Sequence, residues 1–373
     1  MRDIRVIDLF AGCGGLSLGF ERNGYKVKAA LELDPMIANT YRNNHNKDVN
    51  IIVDDIRNVD QTGVFTENCA DVIIGGPPCQ GFSMAGARIR SGFMGDPRNF
   101  LFKHYFNVVK AVRPEVFIME NVKGIMTMEG GSIFDEILSI FSSTEYLPFG
   151  AYKMWYKTVR AIDFGIPQKR ERVIILGTRN QNVDIDSIWQ ITIEQIKEEL
   201  PSFFKHVSVY DAISNLPEPT EDGIVYVSKP MTEYQEYLAS GAGLLTGHYM
   251  PHHSKKAIER MRKIRNGENY TSLNETIHSV HSGSYGRLSW SLPAPTITTR
   301  FDTPSGGRFI HPEKDRTLTP REAARIQSFP DDFVFTGTKS SICKQIGNAV
   351  PPKISYFLAR LVRNILEEDG KRI

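Results

Sequence analysis

The run Gly75-Gly76-Pro77-Pro78-Cys79-Gln80-Gly81-Phe82-Ser83 sets a thiol directly behind two prolines. Each proline ring holds φ near about −65°, so the backbone itself aims the sulfur and no neighbouring side chain has to do so. Most cysteines are buried and inert. A cysteine presented rigidly at the end of the apolar strand Ala70–Ile74 has instead the setting of a covalent nucleophile. The stretch that follows carries Gly81, Gly86, Gly92 and Gly95 among basic residues. It reads as a mobile lid able to close on a polyanion.

Three further groups could share that chemistry. Glu120 ends the strand Glu115–Glu120 and is followed by Asn121-Val122. A carboxylate at a strand's carboxyl end, once desolvated, can hold a proton for a ring nitrogen. In Gln168-Lys169-Arg170-Glu171-Arg172 the two-residue alternation of an extended chain puts Arg170 and Arg172 on one face, with Lys169 and Glu171 on the other. One face can offer guanidinium donors to a pocket, although surface ion pairing competes as an explanation. Asp8-Leu9-Phe10-Ala11-Gly12-Cys13-Gly14-Gly15 stands where a first strand turns into a first helix, and Glu32 ends the second strand. Glycines there allow close backbone approach to a ligand, and the acidic residue can take ribose hydroxyls. Any nucleotide-like cofactor could use this pair. A dinucleotide fingerprint would have Gly or Ala at position 17, where this chain has Ser17.

The elements that must position these groups alternate strand and helix. Ile4–Phe10, Val27–Leu33, Ala70–Ile74, Glu115–Glu120 and Arg172–Gly177 read as strands; Gly15–Asn23, Pro35–His45 and Gly131–Phe141 read as helices. That order predicts an α/β fold with a parallel sheet. From Asn180 to about Thr319 the periodicity weakens, which predicts a separate, less regular domain. Pro320–Gln327 and the run after Pro352 read as helices again, and Gln345-Ile346-Gly347-Asn348-Ala349-Val350-Pro351-Pro352 reads as a helix start with proline near its first turn.

With 373 residues, 41% hydrophobic and 24% charged, the chain has the composition of a compact protein with a large domain and a smaller one. No apolar run approaches the roughly 18 residues that span a membrane, and the first residues carry no secretory leader pattern. The four cysteines, Cys13, Cys69, Cys79 and Cys343, suggest neither a zinc site nor a disulfide framework, as expected for a reducing cytoplasm. The net charge is only +2, so contact with nucleic acid would need local basic surface. Two stretches supply it: Arg88, Arg90, Arg98, Lys103, Lys110 and Arg113, and then Lys255, Lys256, Arg260, Arg262, Lys263 and Arg265. Taken singly, each could equally be a solvated face.

Together these motifs resemble the DNA cytosine-5 methyltransferase family, bacterial type. DLFAGCGG, GGPPCQGFS, ENV, QKRER, RTLTPREAARIQSFPDDF and QIGNAVPP occur in the family's order, covering residues 3–179 and 316–363. The resemblance implies a Rossmann-like S-adenosylmethionine-dependent domain, residues 1–180 and 336–373, with a smaller, irregular target-recognition domain at 181–335. It implies Cys79, Glu120, Arg170 and Arg172 as catalytic residues. Cys79 would add to C6 of a flipped cytosine, Glu120 would meet N3 and the exocyclic amine, and the two arginines would hold O2. Phe10, Gly12, Gly15, Glu32, Asp55, Ile56, Pro78, Leu101 and Asn348 would hold S-adenosylmethionine, with no metal. The expected partner is double-stranded DNA, read at a specific sequence, and the chain would act as a cytoplasmic monomer. It begins almost at the cofactor strand, which suits a stand-alone bacterial or phage enzyme paired with a restriction endonuclease.

Other readings compete. One branch of the family methylates tRNA with the same chemistry, although the long variable segment suits reading a duplex groove better. A catalytically silent DNA-binding scaffold would not need Cys79, Glu120 and Arg172 together. An NAD-dependent oxidoreductase would leave Pro77-Pro78-Cys79-Gln80 unexplained.

Overall fold

The computed structural model describes residues 3–59, 64–78, 101–239, 241, 243–273 and 283–370, with side chains to residue 368. Cys79 and the expected lid lie outside the described residues.

The strands up to residue 178 are β1 (Arg5–Leu9), β2 (Lys26–Glu32), β3 (Asn50–Val53), β4 (Val72–Gly75), β5 (Val116–Val122), β6 (Lys153–Arg160), the two-residue β7 (Gln168–Lys169) and β8 (Glu171–Thr178). Seven of them form one sheet in the order β3-β2-β1-β4-β5-β8-β6. β1 to β5 pair in parallel, whereas β8 runs antiparallel to both β5 and β6. The expected all-parallel sheet is thus corrected at one edge. β6 is half-buried along most of its length, with no clear alternation, and carries no strand signal in the sequence analysis. An apolar run such as Arg172–Gly177 reports burial but not direction, because burial on both faces is the same whichever way a strand runs.

Alternation along the strands divides the core between the two faces of the sheet. Val6, Ile74, Ile118 and Ile174 point to one side, and Ile7, Ile73, Phe117 and Ile175 to the other. The helices are α1 (Gly15–Arg22), α2 (Pro35–Asn44), α3 (Leu101–Val112), α4 (Ser132–Ser142), α5 (Ile185–Glu199), α6 (Val209–Ile213), α7 (Glu233–Leu238), α8 (Lys255–Lys263), α9 (Pro320–Ile326), α10 (Lys339–Asn348) and α11 (Pro352–Gly370). α11 covers the first face beside α1. A Cβ on Gly19 would lie 2.3 Å from the Ser355–Tyr356 backbone, so glycine is what lets the two helices touch. α2 starts where its sequence says it must, with Pro35 in the first turn and the Asp34 carboxylate accepting from the Met36 and Ile37 amides.

α5 packs Ile185, Ile188, Trp189 and Ile196 into the same core as Phe357 and Leu361 of α11. Part of the stretch expected to form the separate domain therefore belongs physically to the sheet layer. A third apolar cluster joins Cys13 and Leu18, beside the glycine turn, to Ile297, Phe329 and Ile346. Among the described residues, only Met261, Ile264, Leu273, Tyr285 and Ile310 form a small core of their own.

Candidate active site

β1 is the strand at which the order of the parallel sheet reverses, since β2 and β4 flank it. The crevice beyond the carboxyl ends of such strands is where ligands bind in open α/β sheets. Here the chain turns through left-handed backbone at Phe10 (φ 59°), Gly12 (φ 58°) and Gly14 (φ 92°). The Glu32 carboxylate pins this turn by accepting from the Gly12 amide and the Asp34 amide, each at 2.9 Å. Burial raises its pKa against the pull of those bonds. A Cβ on Gly12 would meet no described atom within 4 Å, so the turn faces open space. Gly15 is the reverse case: its Cβ would lie 2.4 Å from the Val350 carbonyl oxygen.

Beneath the turn runs a buried polar chain that the sequence reading did not single out. Tyr41 donates to Ser17 Oγ (2.8 Å), and Ser17 donates to Asp8 Oδ2 (2.6 Å). Burial pushes the Asp8 carboxyl up to about 7. His45 stacks on Tyr41, bonds Glu21 through Nδ1 at 2.6 Å, and presses Nε2 against Gly14. The signal for Asp8 was present, since it opens the DLFAGCGG motif; Tyr41 and His45 carry none, because they reach the turn from another helix.

The second wall lies at the ends of β4 and β5. Asn121 Nδ2 donates to the Pro77 carbonyl at 3.1 Å, tying the turn that ends in Pro78 to β5. A Cβ on Gly76 would come within 3.2 Å of Glu120 Oε2. Glu120 is buried, and Arg172 Nε stands 2.9 Å from its Oε1. That approach is an ion pair out of line for a hydrogen bond, so Oε1 keeps its acceptor capacity. Cys79 would follow Pro78 directly but lies outside the described residues.

The extended run holding QKRER alternates as expected: Gln168 and Arg170 are buried, Arg172 is half-buried, and Lys169 and Glu171 are exposed. The two arginines nevertheless do different things. Arg172 meets Glu120, whereas Arg170 is 1% exposed and donates to the carbonyls of Gly347 and Ala349, each at 3.0 Å, and of Ile297 at 3.4 Å. The expectation that Arg170 would hold the base is not met in this geometry: both terminal nitrogens of the buried guanidinium are turned to backbone carbonyls, and its Nε has no partner among the described residues. QIGNAVPP leads into a helix start as expected, with Pro352 opening α11, and its first four residues also close α10, leaving Asn348 exposed at the joint.

Of the remaining expected cofactor contacts, Ile56 is buried and Leu101 opens α3. Asp55 is half-buried and chelated by Arg57, which holds its carboxyl below the usual range, chiefly through their side-chain hydrogen bond. No cluster of three metal-ligating side chains occurs among the described residues.

Away from the sheet, α8 turns Met261 inward and leaves Lys255, Lys256, Arg262 and Lys263 exposed. Arg287 braces it from below, donating to the Ile264, Met261, His311 and Lys314 carbonyls and to Asp315. The helix is therefore a supported basic ridge.

The model of the C-5 cytosine-specific DNA methylase family matches residues 4–364. The chain belongs to the C-5 cytosine-specific DNA methylases. Membership makes it a DNA (cytosine-5-)-methyltransferase of Rossmann-like fold. It is 34% identical to Type II methyltransferase M.DdeI of Desulfomicrobium norvegicum, over 96% of this chain and 88% of that protein. It is also 34% identical to Type II methyltransferase M1.HphI of Haemophilus parahaemolyticus, over 96% and 86%. An E. coli prophage-encoded protein described as a DNA modification methyltransferase superposes with a TM-score of 0.76 at 28% identity, over 98% of this chain and all of that one. S. pombe Dnmt2 shares the fold alone, with a TM-score of 0.59 at 16% identity. The methyl donor of such a family is S-adenosylmethionine, and the open, carboxylate-pinned glycine turn suits its ribose. No helix among the described residues is long and apolar enough to cross a membrane.

Proposed function

We propose that this methylase modifies C5 of cytosine within a specific double-stranded DNA sequence as the modification member of a restriction-modification pair, working as a cytoplasmic monomer. The observation that carries the reading is the Glu120–Arg172 pair at the mouth of the sheet, beside the tethered Pro77-Pro78 turn that leads into Cys79. The Type II names of its relatives favour DNA modification over the tRNA alternative.

In this reading Phe10, Gly12, Gly15, Glu32, Asp55, Ile56, Pro78, Leu101 and Asn348 hold S-adenosylmethionine, which supplies an electrophilic methyl group when bound. The Cys79 thiolate adds to C6 of the flipped cytosine, and the electron pair moves toward N3 and makes C5 nucleophilic. Glu120 stabilises that charge by sharing a proton with N3, and Arg172 keeps the carboxylate oriented while its remaining donors serve O2. After transfer, C5 gives up its proton, the C6–S bond breaks, and the thiolate is restored. Base extrusion costs a few kcal/mol, which contacts in the pocket must offset. Target reading falls to the 181–335 stretch, and chiefly to the part built on the Met261–Ile264–Ile310 core with its basic ridge.

The test is methyl transfer from tritiated S-adenosylmethionine to duplex DNA and to tRNA in parallel. Label on C5 of DNA cytosine, abolished in Cys79→Ser, is the expected result. Label confined to tRNA, to adenine or to cytosine N4 overturns it.

A further inference from the structure

We propose that Arg170 is a positioning residue for the methyl-donor wall of the site, setting the Gly347–Val350 joint against the glycine turn. The proposal rests on the methyl-donor reading above.

The guanidinium is buried and its three hydrogen-bond acceptors are all backbone carbonyls, drawn from two separate segments: Ile297 on one side, Gly347 and Ala349 on the other. A buried cation held by carbonyls rather than by a carboxylate is expensive, and burial pulls the Arg170 pKa well down. Its reach explains why that cost is borne. A planar fork can bridge two segments at once, which a compact ammonium cannot do with the same geometry. The two carbonyls of the joint flank Asn348, so gripping both sets where Asn348 points. The next residue, Val350, lays its carbonyl against Gly15, and Gly347 sits equally close on Thr298, where a Cβ would come within 2.5 Å of backbone.

Gln168, two positions earlier on the same face, does the companion job. Its Oε1 accepts from the Ile297 amide at 2.8 Å, and its amide donates to Gln327, which donates to the Ile346 carbonyl at 2.6 Å. One extended segment therefore acts as a ruler. Two inward side chains hold the donor wall, and the next one, Arg172, meets Glu120 on the base side.

The experiment uses the full chain and measures S-adenosylhomocysteine affinity by calorimetry, together with KM for S-adenosylmethionine and kcat on duplex DNA. Arg170→Lys should weaken S-adenosylhomocysteine about fivefold or more and raise KM more than it lowers kcat. Arg172→Lys should leave that affinity changed by less than about fivefold. An Arg170→Lys protein that binds within that margin while losing turnover would overturn the proposal, since its arginine would then act at the base. If that variant fails to melt cooperatively, Gly347→Ala decides instead, because it displaces the joint that Arg170 grips from Thr298 while keeping the arginine side chain itself. Weakened binding supports the proposal and unchanged binding rejects it. Wild-type chain that binds no S-adenosylhomocysteine would refute the underlying methyl-donor reading, a result distinct from either variant's behaviour.

Discussion

Glu120→Gln tests the base side of the site with little change of shape. Glutamine keeps the volume, so the 3.2 Å approach to Gly76 survives, and it keeps one carbonyl acceptor. It loses the negative charge that faces Arg172 Nε at 2.9 Å and the ability to carry a shared proton. Positioned acid–base groups contribute roughly 10²- to 10⁴-fold in rate, or about 3–5 kcal/mol of barrier. The stability cost is smaller. Arg172 loses its anion but keeps its bond to the Glu171 carbonyl at 2.7 Å and some contact with solvent, so about 1–2 kcal/mol is expected, less than for a sealed pair. Single-turnover methyl transfer to duplex DNA should therefore fall at least about a hundredfold, while S-adenosylhomocysteine affinity stays within roughly threefold. A folded variant that retains more than about a tenth of the wild-type rate would show that Glu120 carries no proton and that its burial beside Gly76 is merely structural.

Other consequences are equally accessible. Gly14→Ala forces a side chain into left-handed backbone with its Cβ 1.9 Å from His45 Nε2, and should lower stability by about 2–4 kcal/mol in urea titration; an unchanged midpoint would refute the packing described for the turn. Glu32→Gln replaces one of two accepting oxygens with a donor, so either the Gly12 or the Asp34 amide loses its partner; S-adenosylhomocysteine affinity should drop about tenfold, and equal affinity would remove Glu32 from the cofactor wall. Arg325→Met strips the bidentate partner from buried Asp331, both bonds being 2.8 Å, at a cost of about 3–5 kcal/mol, to be read as a lowered denaturation midpoint. Stability should also decline in acid. Burial holds His311 neutral, with its pKa lowered from 6.5 to about 4, and lowers His248 and His253 for the same reason. These groups bind protons more readily unfolded, so their contribution is complete above pH 6.5, falls as the pH drops, and for His311 is exhausted near pH 4. A flat stability profile between those limits would contradict the assignment. Buried Glu322 works the same way at lower pH: burial alone would raise its pKa, but Arg316 wins and holds it at about 2.

Much of this was legible in residue types. Prolines, glycines and apolar alternation act over a few positions, so the turns at Gly12 and Pro78, the strands that deliver them, and the helix beginning at Pro35 could be read directly. The family motifs named the chemistry for the same reason: each is a short stretch whose local conformation is nearly dictated. The signals failed where partners lie far apart in the chain. α5 looks like an amphipathic helix of either domain, and only contact with α11 assigns it to the sheet layer. β8 has the composition of a parallel strand, and only its neighbours β5 and β6 give its direction.

Arg170 and Arg172 make the division plain. Alternation alone determined that both share one face. Which one meets a carboxylate and which one grips carbonyls more than a hundred residues away was decided by how the chain closes on itself. A side chain's direction follows from backbone geometry within a few residues. Its role follows from whatever the fold brings opposite it, and that depends on closing long loops whose cost no local pattern records.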